Sequence, residues 1–224
     1  MACKKTAKLG PDFDWKMLKE ANLEQLEDFV MDFYVKDEPI HEMMKVEPSE
    51  VYEHQRQRIK ERLAENASVA IVENTSGKLI AISMNIVRTS EEVVAGASSV
   101  TLPPAKTSRI YDLLHKQFTF DMPGNLKEKR MYLQTLAVDS DYRRMGFMTS
   151  MIAKCEDLAK EFDCKYIISF TSSTFAQKTF QKRKYTKFSE VNLADLVDPD
   201  DGEKVLKTPH PIHTHATAYY KQIQ

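Results

Sequence analysis

One stretch limits the possible folds more than any other. Residues 133–149 read Leu133-Gln134-Thr135-Leu136-Ala137-Val138-Asp139-Ser140-Asp141-Tyr142-Arg143-Arg144-Met145-Gly146-Phe147-Met148-Thr149. An apolar, strand-like run passes into an acidic turn. Two arginines and a glycine then open a segment with helical periodicity. The first turn of a helix exposes unpaired N–H groups and carries partial positive charge, so it binds phosphates well. Gly146 lets the backbone approach an anion closely, and Arg143 and Arg144 add charge and planar donors.

The flanking periodicities build around this unit. Phe13 to Leu18 alternates and predicts a first strand. Asn22, with Gln25 three residues on, reads as a capping box. Leu23, Leu26, Phe29, Val30, Phe33 and Tyr34 then recur at helical spacing. That helix should stop before Pro39, because the residue preceding a proline disfavours helical geometry. Ser49 is a candidate cap for a charged surface helix from Val51 to Glu65. Ser68 to Val72 and Leu79 to Val87 flank Asn74-Thr75-Ser76-Gly77, a hairpin signal. Thr89 to Ala105 reads as a loop, and Thr107 as the cap of a helix carrying Ile110, Leu113, Leu114 and Phe118. A strand at Met131 to Val138, a helix at Met145 to Phe162, a buried strand at Tyr166 to Phe170 and a helix at Ser173 to Lys182 follow. A short strand at Tyr185 to Val191, a polar turn at Asp198 to Gly202 and a last strand at His213 to Ile223 complete the chain. Strands alternating with helices predict an α/β domain with mixed strand directions.

The 224 residues are 42% apolar, enough for one sizeable core. We divide them into a flexible N-terminus, 1–10, and a single domain, 11–224. Lys plus Arg is 32 and Asp plus Glu is 33, a formal charge of -1. A near-neutral chain lacks the electrostatic footprint of a nucleic-acid binder, although small basic patches can still hold one anionic ligand. The apolar runs fall far short of a bilayer span, and Met1-Ala2-Cys3-Lys4-Lys5 leads into no apolar stretch of a signal peptide. Cys3, Cys155 and Cys164 lack metal or redox spacing and read as reduced thiols. The expectation is a cytoplasmic monomer with no membrane and no nucleic-acid partner.

Arg143-Arg144-Met145-Gly146-Phe147-Met148 resembles the Gln/Arg-x-x-Gly-x-Gly/Ala loop in motif A of the GNAT acetyltransferase superfamily, with Met148 where the family prefers a small residue. The resemblance implies a mixed, mostly antiparallel central sheet with helices on both faces, and acetyl-CoA as cofactor. It also implies a pyrophosphate held by backbone N–H groups from Arg144 to Thr149, and pantetheine paired with the strand edge at Leu136, Ala137 and Val138. The segment from Phe170 to Tyr185 resembles motif B, the strand–helix pair that splays away from motif A. Its usual ending, Tyr-x-x-x-Gly-Phe, is here Phe180-Gln181-Lys182-Arg183-Lys184-Tyr185. The tyrosine often used as general acid is therefore Phe180, and the glycine is Lys184.

One branch, the insect-type arylalkylamine N-acetyltransferases, dispenses with that tyrosine. Three features resemble it: Lys36-Asp37-Glu38-Pro39-Ile40, Thr171-Ser172-Ser173, and the run from Gly202 to Pro211 before the last strand. An alkylamine has a pKa of about 10, like lysine, and must lose a proton before attacking a thioester. The resemblance assigns that proton to Glu38, leaving Asp37 as a solvated surface charge. A glutamate at a helix end is more often only solubilising, and the Asp-Glu-Pro-Ile context carries the assignment. Ser173 matches a serine used near the departing thiolate and is equally suited to capping a helix. The branch's second serine aligns with Ala176.

Phe33 and Tyr34 are candidates for an arylamine pocket, whereas Trp15 and Tyr111 read as core. His213 and His215, with His210 nearby, suit a structural or substrate-pocket role better than a metal site. The expected reaction moves acetyl from acetyl-CoA to a primary amine of the serotonin, dopamine, tyramine or tryptamine class, by direct attack in a ternary complex. Backbone N–H groups around Ala137 and Val138 would polarise the thioester carbonyl. One alternative is a non-catalytic acyl-CoA-binding domain, favoured by Met148, Phe180 and Lys184 and opposed by Glu38. Another is an acetyltransferase for polyamines or protein amines, which an acidic, open cleft would favour.

Overall fold

The computed structural model describes residues 9–89, 91–92, 107–125 and 127–223. Seven strands form one sheet: β1 (Phe13–Met17), β2 (Val69–Glu73), β3 (Leu79–Thr89), β4 (Lys129–Val138), β5 (Tyr166–Thr171), β6 (Thr186–Asn192) and β7 (His215–Gln222). Their order is β1-β2-β3-β4-β5-β7-β6. Every neighbouring pair is antiparallel except β4 and β5. Among the described residues the helices are α1 (Leu23–Val30), α2 (Pro39–Met44), α3 (Pro48–Ala64), α4 (Ser108–Phe120), α5 (Phe147–Glu161) and α6 (Thr174–Lys182).

The sheet is covered on both faces. On one, Met151, Ile152 and Leu158 of α5 pack against Ile71, Met131 and Ile167. On the other, Leu26 and Phe29 of α1 and Ile59 and Leu63 of α3 pack against Ala70, Ile82 and Met84. The charged segment predicted as a surface helix is thus half core. Val51, Gln55, Ile59, Arg62 and Leu63 recur at three- and four-residue intervals and turn one face of α3 inward.

Element types agree with the periodicities, and the differences lie at the ends. Asn22 precedes α1 but does not cap it. Its Oδ1 accepts from Lys19 N–H at 3.1 Å, and Gln25 reaches the Gly77 carbonyl instead. Ser49 lies inside α3, because Pro48 takes the first helical position, where its fixed φ fits and its missing N–H costs nothing. Glu47 is then the cap, with Glu50 returning a bond to the Glu47 N–H at 2.8 Å. Helix α5 begins at Phe147, not Met145, because Arg144 (φ 63°) and Gly146 (φ 91°) are both left-handed. The predicted loop from Thr89 to Ala105 and the flexible N-terminus fall largely outside the described residues. No described helix is long and apolar enough to cross a membrane.

Candidate active site

The site grows from the parallel seam between β4 and β5. Strands β4 and β5 pair from Arg130↔Tyr166 to Leu133↔Ser169, and β4 then runs on to Val138 without β5 beside it. At that point Gln134 is an extra residue relative to β3, since Met84 opposes Thr135 and Asn85 opposes Leu133. Such a bulge bends a strand and re-aims its side chains. Asp139 N–H bonds to the Ile80 carbonyl. Alternation along the strand therefore turns the backbone of Ala137 toward β3 and that of Leu136 and Val138 toward the wedge. The side chains around this wedge enclose a cavity of about 1720 Å³. That is more than the 300–1,000 Å³ or so of a drug-sized site, so two reactants fit together.

The turn after β4 is fixed from below. Asp139, buried and paired with Lys78 at 2.8 Å, accepts from Asp141 N–H at 3.0 Å. Tyr142 bonds Glu73 and packs edge-on against Phe13. The chain then enters α5 through the left-handed Arg144 and Gly146. No side chain caps α5, and its first intrahelical bond is Ser150 N–H to the Gly146 carbonyl. The N–H groups of Phe147, Met148 and Thr149 are thus left for an outside acceptor. A Cβ at Gly146 would meet nothing within 4 Å, so that side of the loop is open. Alternating left-handed and right-handed residues gather N–H groups into an anion-binding concavity. The chemistry of this loop fits a pyrophosphate.

The facing wall comes from the break between α1 and α2. Helix α1 widens into a π-helical turn at Met31–Val35, a distortion common at functional sites. Glu38 is extended, as a residue before proline prefers, and Pro39 opens α2. Glu38 is buried. Its Oε2 accepts from His41 N–H at 2.8 Å and its Oε1 accepts from the Ser172 hydroxyl. Its predicted solvated neighbour, Asp37, instead pairs with Arg143, whose Nε also donates to the Val138 carbonyl. The Glu38 turn and the cofactor loop are therefore joined.

Phenols surround this carboxylate. Burial and the Glu38 charge push Tyr34 up to about 12, against the opposing pull of Arg62 and Arg58. Burial and the nearby Glu38 carboxylate, with Tyr34, hold Tyr111 well above the ordinary phenol range. Both phenols stay protonated at neutral pH.

The cavity brings together Glu38, Phe33, Tyr34, Leu136, Ala137, Val138, Arg143, Arg144, Gly146, Phe147, Met148, Thr149 and Ser173. Met145 is different: its side chain is exposed and does not line the cavity. Ser173 occupies the cap position of α6, but its hydroxyl makes no cap bond. Instead the His213 Nδ1 accepts from Thr174 N–H at 3.0 Å, and burial and His210 lower the His213 pKa. Phe180 lies in the core, stacked on Tyr219 at 5.6 Å. Trp15 packs at the edge of the core, away from the cavity. Sequence reasoning missed Ser172, Tyr111, Arg62 and Gln134. Ser172 carried a signal as the neighbour of Ser173 and Tyr111 as an aromatic weighed for the pocket and set aside as core, whereas Arg62 and Gln134 carried none. No group of three or more His, Cys, Asp or Glu among the described residues is placed to hold a metal ion.

Comparison with known proteins agrees with this geometry. Residues 29–185 match the model of the acetyltransferase (GNAT) family. No curated protein sequence matches the chain. Among solved structures, a mosquito arylalkylamine N-acetyltransferase-like 5b superposes with a TM-score of 0.81 at 22% identity, covering 94% of this chain and 99% of its own. Arylalkylamine N-acetyltransferase 2 from Aedes aegypti gives 0.79 at 19%, covering 95% and 100%. Polyamine N-acetyltransferase from Drosophila melanogaster gives 0.74 at 16%, covering 94% and 100%. At these identities the likeness is one of fold.

Proposed function

The chain belongs to the acetyltransferase (GNAT) family, whose members take their acetyl group from acetyl-CoA, and we propose that it transfers acetyl to a small primary amine carrying an aromatic ring. The observation that carries this reading is the buried Glu38 carboxylate. It sits in a wall shared with Phe33, Tyr34 and Tyr111, in one cavity with the open edge of β4 and the N–H groups of α5.

Acetyl-CoA supplies an activated acyl carbon. The N–H groups of Phe147, Met148 and Thr149, with Arg144 at the mouth, would hold its pyrophosphate. Leu136 and Val138 present backbone N–H groups to the wedge, where one of them would donate to the acyl oxygen as negative charge develops there. This keeps the polarising role at Val138, adds Leu136 and takes it from Ala137, whose N–H faces β3. Glu38 would accept the proton of the incoming ammonium, directly or through one water. Ser172, already bonded to Glu38, orients that carboxylate and stands with Ser173 on the β5 side of the wedge. The proton Glu38 takes from the amine would pass on through a hydroxyl of this pair to the departing thiolate, the serine regaining a proton as it gives one, since Phe180 has no hydroxyl.

The aromatic wall supports an arylalkylamine acceptor. The cavity carries both signs of charge, with Arg58 and Arg62 alongside Glu38, Glu42, Glu61 and Asp112, so the aromatic wall and not the charge carries the choice of acceptor. The test is CoA release with acetyl-CoA and a panel containing serotonin, dopamine, tyramine, tryptamine, agmatine, spermidine and a peptide with a free N-terminus. Turnover of the aromatic amines ahead of the others is expected. Preference for agmatine or spermidine would overturn the acceptor class. CoA binding with no turnover of any amine would make the chain an acyl-CoA-binding domain.

A further inference from the structure

Helix α4 carries two stripes. Ile110, Leu114 and Phe118 recur at four-residue intervals and are buried with Ala216 and Ala218 of β7. Tyr111, His115 and Thr119 recur at the same spacing one residue on, and this second stripe lines the cavity. Residues four apart on a helix are neighbours on one face, so a phenol, an imidazole and a hydroxyl stand in a row. The Thr119 hydroxyl lies 3.2 Å from His115 Nδ1, and the His115 ring meets Phe170 of β5 edge-on at 5.7 Å. These contacts hold the ring. Its second nitrogen, Nε2, makes no hydrogen bond among the described residues. Burial lowers the His115 pKa against the pull of Asp112, so the ring is neutral at neutral pH.

Two routes tie His115 to Glu38. The first runs along α4. The Glu38 charge acts on the Tyr111 phenol, and the Tyr111 ring stands 6.1 Å from that of His41, whose N–H donates to Glu38. His115 follows Tyr111 by one helical turn of about 5.4 Å. The second route runs along β5. Ser172 donates to Glu38, and Phe170, which holds the His115 ring, precedes Ser172 by two residues, a span of at most about 7 Å. The amine nitrogen and phenol oxygen of tyramine are about 8 Å apart by standard bond lengths. That is the length of a helical turn and a hydrogen bond together. An acceptor with its ammonium at Glu38 can therefore lay its ring along Tyr111 and Phe170 and bring its far end to His115.

We propose that His115 hydrogen-bonds a hydroxyl on the ring of the acceptor, so that the preferred acceptors are hydroxylated arylalkylamines, phenols or 5-hydroxyindoles. A hydroxyl both donates and accepts, so it pairs with Nε2 whichever nitrogen of the neutral imidazole carries the proton. A ring that ends in C–H leaves Nε2 unpaired once the acceptor has displaced water, and an unpaired buried polar atom is costly. This rests on the amine-acetyltransferase reading above and narrows its substrate class.

The test compares kcat/KM at saturating acetyl-CoA for pairs differing only in the ring hydroxyl: tyramine against phenethylamine, and serotonin against tryptamine. Wild type should prefer the hydroxylated member of at least one pair. His115→Leu should lower that member's kcat/KM by roughly 3- to 10-fold, the scale of one lost hydrogen bond, and that of its partner by much less. The loss should fall on KM more than on kcat, because the contact lies far from the reacting carbon and is made equally before and during the reaction. His115→Gln, which keeps a donor and an acceptor, should restore part of the preference. His115→Phe keeps a ring against Phe170 and replaces His115→Leu if that variant does not fold. No preference for the hydroxylated amine in either pair overturns the inference while leaving the amine-acetyltransferase reading intact. So does a preference that survives His115→Leu, or an equal loss for both members of a pair. If no aromatic amine is acetylated, the acceptor reading fails and binding decides this one. With CoA present, tyramine should then raise the melting temperature of wild type more than phenethylamine does, and the two should act alike on His115→Leu. Equal shifts, or none, in wild type would overturn the contact.

Discussion

Removing the Ser172 hydroxyl separates two adjacent serines that the sequence does not distinguish. Ser172 donates to the buried Glu38 carboxylate, whereas the Ser173 hydroxyl makes no cap bond. A hydrogen bond to a charged group contributes about 1.5–3 kcal/mol, and Ser172→Ala leaves Glu38 Oε1 without that donor in a buried setting. For a chain of this size each kcal/mol moves Tm by about 2–4 °C, so a drop of roughly 3–12 °C is expected. If the same bond aims the carboxylate at the acceptor, its loss lowers kcat by roughly 10- to 150-fold. Ser173→Ala removes no side-chain bond and should leave Tm within about 1 °C. Any fall in its kcat would report its own service to the thiolate, with acetyl-CoA affinity retained. Thermal unfolding and CoA-release kinetics on both variants decide the matter. A wild-type Tm and rate in Ser172→Ala, with a larger loss in Ser173→Ala, would refute the assignment.

Two further substitutions test the loop and the end of motif B. Gly146→Glu should weaken CoA binding by at least roughly 100-fold in calorimetry, because it puts a carboxylate where a pyrophosphate must approach, while Gly146→Ala adds only the left-handed strain of about 1–2 kcal/mol. Unchanged CoA affinity in a folded Gly146→Glu protein would contradict the cradle. Lys184 is left-handed (φ 60°), and Tyr185 N–H returns to the Phe180 carbonyl, the helix ending that favours glycine. Lys184→Gly should therefore raise stability by about 1 kcal/mol, and a lower Tm would show that Lys184 makes a compensating contact.

The sequence made strand and helix types legible because apolar spacing is a local signal. Hence the unit from β4 into α5 and the break at Pro39 both appear where periodicity puts them. Cap identities were less legible, since Asn22, Glu47 and Ser49 compete for nearby N–H groups and the outcome depends on where Pro48 starts its helix. The site was readable only where one motif held it. Glu38 and the Arg143–Thr149 loop each sit in a contiguous pattern, and the family resemblance, not their spacing, brought them to one site. Ser172, Tyr111, Arg62 and Gln134 come from four elements, joined by the bulge in β4 and the divergence of β4 from β5. Nothing in single-chain spacing encodes that Arg62 turns inward onto Gln134. The Asp37–Arg143 pair was hidden for the same reason, being 106 residues apart.

The most direct test of the account is the pH dependence of Glu38→Gln. The variant should fold and bind acetyl-CoA as wild type does. At neutral pH its kcat should fall by about two to four orders of magnitude, the range for a positioned acid–base group. That deficit should shrink as pH rises toward about 10, where a simple alkylamine becomes its own free base. A loss of equal size at every pH would give Glu38 a positioning role only. Full activity at neutral pH would remove Glu38 from the chemistry and contradict the account.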